Sequence, residues 1–126
     1  MTYIDLKPLG EAAWKVREHA VSTTKVGCAV LSEQGNIFAG CNIGHRFRCQ
    51  DIHSEPNALS TMKAAGDGPA IAVVIVAERD NFTPCGGCLD WIFELGGPGC
   101  IVAFQPAPGA PLKVHRADEL MPHYPS

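Results

Sequence analysis

His53-Ser54-Glu55 and, further along the chain, Pro84-Cys85-Gly86-Gly87-Cys88 are the two stretches on which the reading of this sequence turns. Together they offer one imidazole, two thiols and one carboxylate. A zinc ion taking His53, Cys85 and Cys88 has three protein ligands and an open fourth position, the arrangement of a catalytic rather than a closed structural site. Zinc held in this way lowers the pKa of a bound water towards neutrality. Glu55, in the first turn of a helix opening at His53, sits beside such a metal without binding it. From there it can take a proton from the water and hand it to a leaving amine.

A Cys-x-x-Cys pair also serves as a redox motif or as half of a structural zinc site. No second Cys-x-x-Cys and no His-x-x-x-His follows to complete a structural site. A redox pair is expected early, after the first strand of a thioredoxin-like unit, whereas this one lies late in the chain and is spaced by two glycines.

The 126 residues, 46% of them hydrophobic, are expected to form one domain, 1–126, burying roughly two-thirds of the surface of the unfolded chain. Cys28, Cys41 and Cys100 fall inside apolar runs, where a reduced thiol acts as a small hydrophobe, so a reducing, cytoplasmic compartment is expected. No apolar run reaches the length of a membrane span, and Met1 to Gly10 lacks the basic start and apolar core of a signal peptide. A soluble protein without a membrane partner is expected. Ten Lys and Arg against thirteen Asp and Glu give a net charge of −3. The only basic cluster is His45-Arg46-Phe47-Arg48, too short for a nucleic-acid footprint; the expected partner is a small polar molecule.

The apolar pattern predicts a helix over 7–22, with Leu9, Ala12, Ala13, Val16 and Ala20 on one face. A β-hairpin follows, with strands at 25–31 and 37–43 around the turn Glu33-Gln34-Gly35-Asn36. After an irregular stretch over 44–52, a second helix opens at the first motif, since Pro56 is tolerated only in a first turn, and ends at Gly66-Asp67-Gly68-Pro69. Ile71 to Ala77 reads as a strand buried on both faces. A third helix opens with Pro84 at its start and stops at Gly96-Gly97-Pro98-Gly99. A strand at 101–104, a Pro-rich loop, an edge strand at 112–115 and a helical turn at 117–121 complete the order. The class is α/β: a mixed five-stranded sheet between helices, a three-layer α-β-α sandwich. Both motifs fall at helix N-termini, which should favour ionised Cys85 and Cys88 even before a metal arrives.

The two motifs match the His-x-Glu and Pro-Cys-x-x-Cys pattern of zinc deaminases. Over nearly its whole length the chain resembles the small, homotetrameric, zinc-dependent cytidine deaminases, a family that includes the deaminase of the cytosine antibiotic blasticidin S. The resemblance rests on Val26-Gly27-Cys28-Ala29-Val30-Leu31, the turn at Gly35, Gly40-Cys41-Asn42-Ile43, the step from Asn42 to Glu55, and the ending Glu119-Leu120-Met121-Pro122. It implies a cytidine deaminase-like fold, a Zn²⁺ cofactor on His53, Cys85 and Cys88, and Glu55 as proton shuttle. It further implies that Asn42 holds a ribose hydroxyl, that the backbone at Ser54 faces the pyrimidine ring, and that Tyr124 reaches a neighbouring subunit's pocket in a homotetramer. Asn42 as a loop brace and Tyr124 as a plain terminal residue stand as alternatives.

The departures are informative. Most small tetrameric members have Cys where this chain has His53, and follow the Glu with an Arg that balances the third thiolate. Here two thiolates and a neutral His against Zn²⁺ sum to zero, and Pro56 and Leu89 stand where arginines are common. Gly44 occupies the position of the family's second ribose-binding residue, a Glu, and Thr24 that of an aromatic. A lost charge-assisted hydrogen bond of about 1.5–3 kcal/mol weakens binding roughly tenfold to a hundredfold or more. Arg46 or Arg48 is a candidate partner for an anionic substituent, though a solvated loop is the plainer reading of each. His19, His115 and His123 read as surface residues, and His45 as a loop residue.

The expected activity is therefore hydrolytic deamination of a cytosine-like or other aminopyrimidine substrate with release of ammonia. The alternatives are deamination of a blasticidin S-type antibiotic or a non-nucleoside aminoazine, a polynucleotide deaminase, and, from another class, a catalytically idle zinc-binding assembly protein. The intact Glu55 argues against the last, and the short acidic chain against a polynucleotide substrate.

Overall fold

The run Ala70–Val76 lies at the centre of a five-stranded sheet in the computed structural model, which describes residues 4–124. In chain order the elements are α1 (Lys7–Arg17), β1 (Gly27–Ser32), β2 (Ile37–Cys41), a 3₁₀ turn (Arg48–Gln50), α2 (Ser54–Ala64), β3 (Ala70–Val76), α3 (Gly86–Gly96), β4 (Ile101–Gln105), β5 (Lys113–Arg116) and α4 (Ala117–Leu120). The spatial order is β2-β1-β3-β4-β5. Only β3 and β4 run parallel, linked through α3, and the other pairings are antiparallel. The expected mixed sheet and element order are found.

Strand alternation divides the core between two faces. Val73 and Ile75 join Cys28, Val30, Val102 and Phe104 beneath α2 and α3, whereas Ala72, Val74 and Val76 join Ala29 and Ala103 beneath α1. Each large, fully buried side chain here, such as Leu59 of α2 or Ile92 of α3, contributes about 1.5–3 kcal/mol through removal from water. The α1 face is built from small residues because the helix rides close. A Cβ on Gly27 would stand 2.1 Å from the Ala13 carbonyl oxygen.

All six cysteines are free thiols, and Cys28, Cys41 and Cys100 are buried as expected. Burial pushes the Cys28 thiol well above its ordinary value, with Glu55 adding to the effect, and pushes Cys100 up to about 12. These thiols behave as apolar filling. No helix among the described residues is long and apolar enough to cross a membrane.

Several boundaries differ from the sequence expectation. Helix α1 ends at Arg17 rather than 22, because the chain turns through His19 N–H→Val16 O and Ala20 N–H→Arg17 O and then delivers Val21 to a bridge with Ile43. Strand β2 stops at Cys41, where the Asn42 side chain turns to bond the backbone of Thr24 and Val26, just before β1. Helix α3 starts at Gly86 with Cys85 as its N-cap, so Pro84 lies just outside it. The hairpin turn does need its glycine: Gly35 has φ +91°, a conformation costly for any other residue.

Helix α2 is fixed to β2 by backbone proximity and by one side chain. Asn57 Oδ1 accepts a hydrogen bond from Cys41 N at 3.0 Å. A Cβ on Gly40 would meet the Ala58 nitrogen and Asn57 Oδ1 at 2.5 Å. Gly40→Ala is therefore expected to destabilise the protein by about 1–3 kcal/mol and, by pushing back the helix that begins after His53, to lower zinc occupancy. A urea melt with parallel metal analysis checks this, and an unchanged midpoint would show that α2 has room to withdraw.

Candidate active site

His53 is the N-cap of α2 and Cys85 the N-cap of α3, with Cys88 in the first turn of α3. The helices pack against each other through Ala58, Leu59 and Met62 on one side and Leu89 and Ile92 on the other, within one buried cluster. That packing sets the two helix starts side by side. His53 makes no side-chain cap to its own helix, which leaves its ring to turn towards the thiols.

The resulting donor set is tight. His53 Nδ1 lies 3.2 Å from Cys88 Sγ and 3.6 Å from Cys85 Sγ, and the two sulfurs are 3.4 Å apart. Zn–S bonds of about 2.3 Å and Zn–N bonds of about 2.0–2.1 Å on a tetrahedron place the donors roughly 3.6–3.8 Å from one another. The observed triangle is a few tenths of an ångström smaller, so zinc fits with a slight opening. Among the described residues these three form the one His/Cys/Asp/Glu cluster with metal-ligand spacing. His53 and Cys85 are exposed and Cys88 is buried, which keeps one side of the triangle open to solvent.

Glu55 is only 2% exposed yet borders the cleft on that open side. Its Oε1 accepts a 2.5 Å hydrogen bond from the Ser54 hydroxyl, and it is not part of the donor cluster. The expectation that helix starts keep both thiols ionised without metal needs correction at Cys88. Burial, followed by the negative charge of Glu55, drives that thiol far above its ordinary value. Desolvation outweighs the helix dipole there, and the thiolate forms only together with a cation.

The cleft has a volume of about 680 Å³ and is lined by the donor triad, Ser54, Glu55, Asn42 and residues of two loops. Asn42 lines it while bracing the wall: its Oδ1 accepts from Val26 N at 2.9 Å and its Nδ2 donates to Thr24 O at 2.7 Å. One further donor and one acceptor site of its amide stay available. Tyr124 lies elsewhere. Its ring stacks on Phe93 of α3, with centroids 4.2 Å apart, its hydroxyl bonds Asp90, and it does not line the cleft of its own chain.

Gly44, expected beside a ribose, is not a lining residue either. Its N–H donates to Val21 O at 2.6 Å, and a Cβ there would press on that carbonyl oxygen at 2.8 Å. The Val21 carbonyl occupies the place that a larger residue at 44 would need. Sequence reasoning missed Arg79, Asn81 and Phe82, which also line the cleft. They lie in the loop after the carboxyl end of β3, where open α/β sheets commonly bind ligands, and that position was the available signal.

Comparison with known proteins agrees with this geometry. Residues 6–104 match the family described as cytidine and deoxycytidylate deaminase zinc-binding region. The chain is 34% identical over 97 residues to a cytidine deaminase of Sporosarcina psychrophila, covering 72% of this chain and 70% of that protein. It superimposes on the crystal structure of a cytidine deaminase from Burkholderia pseudomallei with a TM-score of 0.88 and 32% identity, covering 95% and 98% of the two chains. A Mycobacterium leprae cytidine deaminase gives 0.84 at 25% identity, covering 96% and 100%. The sandwich and its donor triad thus define a zinc-dependent hydrolytic deaminase acting on a pyrimidine-like substrate. The chain belongs to the cytidine and deoxycytidylate deaminase zinc-binding family.

Because burial and the Glu55 charge raise the Cys88 thiol far above its ordinary value, zinc uptake is expected to release its proton. Titrating zinc into metal-free protein in weak buffer near pH 7 is expected to liberate at least one proton per metal. Apparent affinity should then rise about tenfold per pH unit for each proton lost. Affinity independent of pH between 6 and 8 would show that both thiols are already ionised.

Proposed function

We propose that this protein hydrolyses the exocyclic amine of a cytosine-like or related aminopyrimidine, with zinc on His53, Cys85 and Cys88 and with Glu55 moving the proton. The observation that carries this reading is a buried carboxylate bordering a solvent-open cleft beside a three-donor metal triangle. Zinc, when bound, supplies the Lewis acidity that brings the pKa of a water towards neutrality. Glu55 then accepts a proton from that water and returns it to the departing amine nitrogen, so that water and the aminopyrimidine become the oxo product and ammonia. The Ser54 hydroxyl holds one carboxylate oxygen and leaves the other for proton traffic. Phe82 provides an aromatic wall, itself stacked on Phe104 at 5.4 Å.

Asn42 is proposed to touch the substrate with its remaining donor and acceptor, and the backbone at Ser54 to face the ring. An ordinary nucleoside is a poor match: Thr24 stands where the resemblance places an aromatic and Gly44 where it places a carboxylate, so cytidine should be turned over less well than some other aminopyrimidine. A small-molecule substrate, rather than nucleic acid, fits the acidic balance of the chain. Its free thiols favour a cytoplasmic setting. A homotetramer is supported by exposed apolar residues on the metal-bearing flank, where Ile52 and Trp91 edge a second cleft of about 460 Å³ beside the donor triad. In such an assembly Tyr124, held on α3 by Phe93 and Asp90 rather than in its own cleft, is proposed to face a neighbour's.

Glu55→Gln is expected to keep its fold and about one zinc per chain while losing 10²–10⁴-fold in kcat. Ammonia release from a panel of cytosine, cytidine, blasticidin S and isocytosine measures this, and activity within a few-fold of the parent would assign the proton transfer to another group. Light scattering at micromolar concentration should give a tetramer's mass; a monomer's would remove the role for Tyr124.

A further inference from the structure

The five arginines of this chain divide into two sets. Arg17 pairs with Glu78 and Arg116 with Asp118, and Arg46 lies over the Phe47 ring at 5.0 Å. Like Arg46, Arg48 and Arg79 have no carboxylate within ion-pair distance among the described residues, and of these three only Arg48 and Arg79 line the cleft that contains Glu55. They come from different segments of the lining, Arg48 from the 3₁₀ turn before α2 and Arg79 from the loop after β3.

Both segments are braced. Arg79 lies over the Phe82 ring at 5.5 Å, and Phe82 stacks on the buried Phe104. The loop beneath is held by Lys113 Nζ, which donates to Asp80 O at 2.8 Å and to Asn81 Oδ1 at 3.0 Å. The turn carrying Arg48 is closed by Asp51 N–H→Arg48 O at 3.0 Å and flanked by the Ile43–Ile52 bridge, and Asp51 accepts from the His45 backbone at 2.6 Å. With zinc neutralised by two thiolates and a neutral imidazole, Glu55 is the one anion left among the lining residues against two guanidinium groups. The cleft therefore carries a net positive charge before substrate enters.

We propose that Arg48 and Arg79 bind an oxyanion, a carboxylate or a phosphate, carried by the aminopyrimidine away from its amine, so that the preferred substrate is an anion rather than a neutral nucleoside. Guanidinium groups suit this task because their planar donor forks match the oxygen spacing of both groups. The inference rests on the deaminase reading and names its substrate class.

The test uses zinc-loaded full-length protein and two matched pairs: cytidine with cytidine 5′-monophosphate, and 1-methylcytosine with 1-(carboxymethyl)cytosine. Ammonia release gives kcat/KM, and calorimetry gives binding independently of turnover. The anionic member of at least one pair should be favoured tenfold or more, and the favoured pair tells phosphate from carboxylate. Arg48→Gln and Arg79→Gln should each narrow the ratio, and together bring it within about twofold, with zinc content and circular dichroism confirming intact protein. Parity in both pairs, no measurable binding of any member, or a preference that survives in the double variant would overturn the proposal. Preferential binding without ammonia would preserve it while removing the deaminase reading; ammonia at parity would do the reverse.

Discussion

The packing of α2 against α3 is the constraint on which the rest of this molecule depends. His53 and the two cysteines are far apart in sequence, and they meet because Leu59 and Met62 share one buried cluster with Leu89 and Ile92. The helix starts then stand within ligand distance of each other above the sheet. This contact has little slack: Gly40 admits α2 so closely that the space of a single methyl group is absent. Hydrophobic close packing thereby sets the spacing of polar donors, and the donors themselves need no covalent link.

The same burial that builds the triangle makes it difficult to ionise. Cys88 is nearly sealed, and Glu55 beside it adds negative charge. Without a cation, the local arrangement favours the protonated thiol. A neutral thiol can sit beside the buried carboxylate without repulsion, and a cation would be needed only to hold the thiolate there.

Much of this was legible in the sequence. The His-x-Glu and Pro-Cys-x-x-Cys spacing singled out the residues that the fold gathers into a donor triangle with a carboxylate beside it, and the β-branched run over 71–77 marked the central strand, because both signals are local. Element ends were less legible: periodicity carries α1 on to Ala20, but the Val21–Ile43 bridge, a contact between distant segments, takes those residues out of the helix. The tight space at Gly44 was hidden for a related reason, since aligned position does not reveal that the Val21 carbonyl lies 2.8 Å from where a Cβ would stand. Arg79 was missed because nothing near it in sequence resembles a motif. It joins Arg48 in the lining of one cleft only once the loop after β3 is folded.

The bonds from Lys113 have a different consequence. This lysine belongs to the outermost strand, yet its ammonium group fastens the loop that forms one wall of the cleft. The metal triad, by contrast, is built on two helices that this lysine does not touch. The donor triad and the loop after β3 thus have separate supports, the one in the helical layer and the other at the rim of the sheet. Anyone transplanting that loop from a relative to alter what this protein accepts must carry the edge strand's anchor with it, or the new loop will arrive without its mooring.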